Sequence, residues 1–165
     1  MTTWAHGLLA FSIYRPFKKL SWKKAVWWAM FPDFIWLIPL GIYLLFNRGV
    51  SITDLSHAPG FFYHLYGVGH SFILSFLVIA LVRYKTKKFP YEMLAWPFLH
   101  ILMDIPGHTL FLTPFLYPTS SFTVHGLFDW RDPLWFTLSW LVPVVIIAST
   151  WIYEKMKASN PSKSV

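Results

Sequence analysis

The chain has 165 residues, of which 56% are hydrophobic, 21% aromatic and only 13% charged, with ten tryptophans and no cysteine. A soluble domain carries about a quarter charged residues. This composition therefore excludes an ordinary water-exposed surface and predicts an all-α integral membrane protein of one domain, residues 1–158, with a frayed tail over 159–165. The absence of cysteine excludes disulfides and thiolate metal sites.

The net charge of +7 does not read as a nucleic-acid footprint, and no nucleic-acid partner is expected. Twelve of the 14 basic residues fall in three clusters, at 15–24, 83–88 and 155–163, separated by apolar stretches. That is the pattern the positive-inside rule produces.

In chain order, residues 3–14 form a short apolar helix holding His6. It is too short to span, and either lies in the interface or re-enters the bundle. It is not preceded by the basic region of a cleaved signal peptide. Four spans follow: Ala25 to Phe46, Phe61 to Val82, Tyr91 to Ile105 with a kinked continuation past Pro106, and Leu134 to Tyr153. The basic clusters orient about four transmembrane helices consistently. Both termini are then cytoplasmic, residues 48–59 and 117–133 lie outside, and the protein is a multi-pass component of the cell's inner membrane.

Several ionisable groups fall inside these spans, where each must find a partner, an ion or water. Asp33 follows Pro32 in the first span and sits about 13 Å along the helix from Lys24. Its alternative is a cap on a helix that begins near Pro32. His64 and His70 flank Gly67 and Gly69, and a bend there would let both point inward. His100, Asp104 and His108 recur at i, i+4, i+8, which on a helix makes one stripe. Counted from the inner clusters, His70, His100 and Asp104 lie at about 20, 18 and 24 Å, within reach of a common layer, whereas Asp33 lies lower. Imidazole and carboxylate together form a ligand set for zinc and similar divalent ions. Each also has a bland alternative, a hydrogen bond to neighbouring backbone or between helices. His57 and His125, with Asp54, Asp129, Asp132 and Glu92, read as solvated loop or interface groups.

Four elements occur in one order: His6 within Ala5 to Ser12, then Phe31-Pro32-Asp33, then Gly69-His70-Ser71, then His100 to Asp104 and on to His108. This order resembles the membrane-bound metal-dependent hydrolases of the YdjM-like type, over residues 5 to 118. A more distant similarity, in ligand order only, is to zinc-dependent phospholipase C. The chain departs from the first family's pattern in lacking a second acidic residue after Asp33 and an Arg between the paired histidines.

The resemblance implies a metal-dependent hydrolase that acts on an ester or phosphoester, lipid-like given the bilayer setting. His6, Asp33, His64, His70, His100, Asp104 and His108 would be the metal ligands for one or two zinc-like ions. Asp33 or Asp104 would be the catalytic carboxylate. The alternatives from another class are a transporter or ion-handling protein, and a degenerate family member that uses the cluster structurally.

Overall fold

The computed structural model describes residues 1–47, 59–109 and 112–159, and all regular structure in them is helical. Helix α1 spans Thr3–Tyr14, α2 Trp22–Phe46, α3 Phe61–Gly69, α4 Phe72–Thr86, α5 Leu102–Gly107 and α6 Pro133–Ser159. A 3₁₀ turn, Tyr91–Leu94, and a π-helical turn, Trp96–Ile101, lead into α5. The expected outer loop at 48–59 is described only from Pro59, and His57 and Asp54, like the tail beyond Ser159, lie outside the described residues.

Local chemistry explains the boundaries. Thr2 caps α1 by accepting from the Ala5 N–H, and Pro16 follows just beyond its end. Ser21 caps α2 through the Lys24 N–H, and its own N–H reaches Glu92 Oε1 at 3.0 Å. Helix α2 thus begins at Trp22 and runs through both Pro32 and Pro39, so Asp33 lies within a helix and does not cap one. Asp132 Oδ1 accepts from the Leu134 and Trp135 N–H groups, with Pro133 at the first helical position of α6.

Two helices, α2 and α6, are long and apolar enough to cross a membrane. Helices α3 and α4 pass the same test together, but they meet at a 54° bend, so the count is three if the bent pair is one span. The third expected span is not one helix. Between Tyr91 and Gly107 the backbone passes through 3₁₀, π and α geometry, with Pro97 and Pro106 each removing a backbone donor. The outer faces are apolar: Ile42 and Leu45 on α2, Leu81 on α4, and Val144 and Ile152 on α6 are all exposed. Aliphatic surface of that extent suits lipid, and the chain is a membrane protein by this criterion.

Of the two alternatives for the short N-terminal segment, α1 takes the buried one. Its Ala5, His6 and Ala10 are fully buried. Ala10, Ala25, Ala29 and Ala95 form a small-residue core that lets α1, α2 and the 91–101 segment approach closely. Met1, Ala5 and Leu9 pack with Leu99, Met103, Trp135 and Trp140, which joins α1 to α6. Arg15 lies 3.9 Å from Glu154, so the first and last basic clusters share one end of the bundle. The centre of this assembly, ringed by α1, α2, the α3–α4 break and the 96–107 segment, is polar.

Candidate metal centre

Each polar group is delivered by a different local device. His6 comes from the middle of α1 and Asp33 from α2 just after Pro32. His70 ends α3, where its N–H bonds the Tyr66 carbonyl and the chain turns into α4 at Ser71. His100 lies on the π turn, where the Leu102 N–H reaches the Pro97 carbonyl in the i→i+5 pattern. Such wide turns recur at functional sites because they re-aim a side chain without ending the helix. Asp104 lies on α5 and His108 at its extended C-terminal end.

These side chains converge. His70 Nε2 and His100 Nε2 are 3.0 Å apart. Asp104 Oδ2 is 3.3 Å from the first and 3.4 Å from the second. Asp33 Oδ1 stands at 3.6 and 3.7 Å from the same two nitrogens. His6 Nε2 lies 3.0 Å from Asp104 Oδ1. Among the described residues, ligand atoms fall into two groups, each within 4.8 Å: His6, His100 and Asp104, and Asp33, His70 and His100. His100 belongs to both. The lower depth counted for Asp33 does not keep it out, because the 91–107 segment is not a straight helix from which the depth of its partners can be counted.

The remaining ring nitrogens decide the tautomer. His6 Nδ1 is 2.8 Å from the Leu99 carbonyl, His70 Nδ1 2.9 Å from that of Tyr66, and His100 Nδ1 2.7 Å from that of Ala29. A carbonyl oxygen only accepts, so all three Nδ1 atoms carry the proton and, in the neutral rings, all three Nε2 atoms present lone pairs. The centre is then a set of acceptors: three imidazole nitrogens and two carboxylates facing one another. Two lone pairs 3.0 Å apart repel unless a proton or a metal ion lies between them. An imidazole fixed by an outer Nδ1–H···O=C bond with Nε2 turned inward is the usual arrangement of a metal-ligating histidine. The donor set therefore fits a divalent cation. The same groups also pair with one another, and the Met1 amine lies 2.6 Å from Asp104 Oδ1.

His108 touches this centre from one step outside. Its Nε2 is 3.4 Å from Asp104 Oδ1 and its Nδ1 3.3 Å from the Tyr66 hydroxyl. His64 is not brought in. It is exposed and its Nδ1 lies 3.3 Å from the Tyr117 hydroxyl. The expected bend between His64 and His70 falls after His70 instead. Helix α3 stays regular through Gly69, and six residues on a regular helix separate two side chains by roughly 120°. Among the loop groups, His125 is exposed, as expected. Asp129 is bonded by the exposed Arg131, whose guanidinium holds the Asp129 carboxyl down to about 2.

Four contributors escape a sequence search limited to ligand-type residues. The Thr3 hydroxyl donates to Asp33 Oδ2 at 2.6 Å, and Trp36 Nε1 donates to Asp33 Oδ1 at 3.3 Å. The Tyr66 ring stacks on His70 with centroids 3.9 Å apart. The fourth is the Met1 amine. Three of the four stand three or four residues from an expected ligand on the same helix, Thr3 from His6, Trp36 from Asp33 and Tyr66 from His70, so helical spacing was the signal available.

Set against known proteins, the chain matches no family model, no curated protein and no solved structure. Its class is thus defined by architecture and centre alone: an all-helical membrane protein with a buried His/Asp cluster able to hold a metal ion.

Proposed function

We propose that the chain is a membrane-bound, metal-dependent hydrolase in which His6, Asp33, His70, His100 and Asp104 hold one or two divalent ions, with His108 beside them. Zinc suits this ligand set best. The observation that carries the proposal is the inward presentation of three Nε2 lone pairs beside two carboxylates, with every Nδ1 committed to a backbone carbonyl. The reading includes the four-crossing topology, with cytoplasmic termini in the cell's inner membrane and the segment from Tyr91 to Gly107 as a broken third crossing.

A divalent cation, when bound, supplies Lewis acidity toward a phosphoryl or carbonyl oxygen and lowers the pKa of water. The chain's own residues do the rest. His6, His70 and His100 are held in one tautomer and one orientation because their Nδ1 protons are bonded by backbone carbonyls. Asp104, 1% exposed and approached by five nitrogens, acts as a ligand. Asp33, 7% exposed, is the less enclosed carboxylate and takes the proton from the attacking water. Thr3 and Trp36 donate to it and fix its orientation. A substrate drawn from the bilayer, an ester or phosphoester with an apolar body, fits the setting. The rival reading, an ion-handling or purely structural cluster, draws on the Met1–Asp104 ion pair.

Hydrolysis separates the two. Purified protein in detergent, supplied with zinc and a short-chain phosphatidic acid or a p-nitrophenyl ester, is expected to turn over substrate, to stop with chelator and to resume when metal is restored. Asp33→Asn, assayed at saturating zinc so that weakened metal binding is offset, is expected to lose on the order of 10²–10⁴ in kcat. No turnover of either substrate class by metal-loaded wild type contradicts the hydrolase reading.

A further inference from the structure

A cavity of about 260 Å³, lined by Tyr63, His64, Tyr66, Pro114, Tyr117 and Ser121 among others, borders the metal centre's Tyr66. Tyr66 is common to both. One face of its ring stacks on His70, and its hydroxyl stands 3.3 Å from both His108 Nδ1 and Thr113 Oγ1. The opposite wall is anchored. The Tyr117 ring lies against Gly67, where an added Cβ would come within 2.9 Å of ring carbons, and the Tyr117 carbonyl accepts from Ser71 Oγ. Gly67 is small because Tyr117 occupies the space a side chain would need. Ser71 also caps α4, so the wall is tied to the same chain break that positions His70.

The lining chemistry is selective. Among the described residues the cavity is lined by phenols, one imidazole, one hydroxyl, Leu112 and Pro114, and none of these is a carboxylate, lysine or arginine. Such groups offer neutral donors to acceptor oxygens, and the tyrosine rings and Pro114 offer apolar contact to the body that carries them. Tyr63, which lines the cavity, is itself exposed, as is Phe61 at the start of α3.

We infer that this cavity admits and holds the substrate, an amphiphilic phosphoester, with His64 and Tyr117 binding its acceptor oxygens beside Tyr66. His64 is then a substrate-binding residue and not a metal ligand. The inference rests on the hydrolase reading in taking the bound molecule for the substrate.

Dodecyl phosphate in a neutral maltoside detergent is a suitable probe, titrated by ³¹P NMR against wild type, His64→Ala, Tyr117→Phe and a cavity-filling Ser121→Trp, with metal content measured on each. His64 and Ser121 are exposed, so these variants are expected to fold. The expected result is saturable binding to wild type, weakened about tenfold or more by His64→Ala and by Tyr117→Phe and abolished by Ser121→Trp, at unchanged metal per chain. Equal affinity in wild type and all three variants overturns the inference. So does loss of metal in His64→Ala, which would make His64 a ligand and leave the hydrolase reading intact. Binding that depends on His64 and Tyr117 in a wild type free of metal and activity would overturn the hydrolase reading and leave the cavity assigned.

Discussion

Gly69→Ala is expected to destabilise the protein by about 3 kcal/mol or more, at or above the upper end of what an extra methyl costs in a packed interior. A Cβ at this position would come within 2.5 Å of the Pro32 carbonyl oxygen and 3.1 Å of its carbonyl carbon. Both are backbone atoms of α2, so no side chain can rotate away to make room. Either α3 or α2 must shift. Both of those elements carry the centre: Gly69 precedes His70 and Pro32 precedes Asp33, two residues of one ligand group. The Gly69 carbonyl also accepts from Trp96 Nε1 at 2.7 Å, at the start of the turn that carries His100. The substitution should therefore lower the thermal midpoint in detergent and weaken metal binding together. Gly41→Ala is the control. It lies in α2 with nothing within 4 Å of an added Cβ, and should be neutral or stabilising by up to about 1 kcal/mol. Equal stability of the two variants would sink the argument.

His100→Ala is expected to cost about 3–5 kcal/mol, the range for breaking a buried polar network from one side. The ring is fully buried, bonds the Ala29 carbonyl at 2.7 Å, and packs on His6 and His70 with centroids 4.1 and 4.8 Å away. Its loss leaves a buried carbonyl without this donor and removes the one nitrogen common to both ligand groups. A second effect follows by linkage. A ligand that binds only the folded state raises the thermal midpoint, and chelation lowers it. Melting curves with zinc and with chelator should separate for wild type and coincide for His100→Ala. His64→Ala, on an exposed side chain, should keep the separation. Coincident wild-type curves would count against a bound ion.

The helical class and most of the cluster were legible in the sequence because they follow from two robust patterns. Apolar stretches interrupted by clustered basic residues mark membrane helices, and ionisable residues inside such stretches must find one another. His6, Asp33, His70, His100 and Asp104 do so. The parts that were not legible depend on backbone geometry that residue spacing does not encode. Helical spacing suggests one kinked span and cannot show that Pro97 and Pro106 sit in a segment of 3₁₀, π and α turns. Glycine near a histidine signals a close approach as readily as a bend. Gly67 and Gly69 serve Tyr117 and Pro32, and the bend falls one residue further on, which leaves His64 outside. The Nδ1–carbonyl bonds, which give the centre its chemistry, are made to main chain at Leu99, Tyr66 and Ala29, and no side-chain motif announces a main-chain acceptor.

The central claim is that the inward imidazoles and carboxylates share a metal ion. The most direct measurement is elemental analysis of protein purified without chelator, wild type against the double variant His100→Ala with Asp104→Ala, with helix content checked by circular dichroism. At least one divalent ion per wild-type chain, lost from a variant that remains helical, is the predicted result. A folded wild type free of metal even after incubation with zinc, or a variant that retains the full complement, would contradict it.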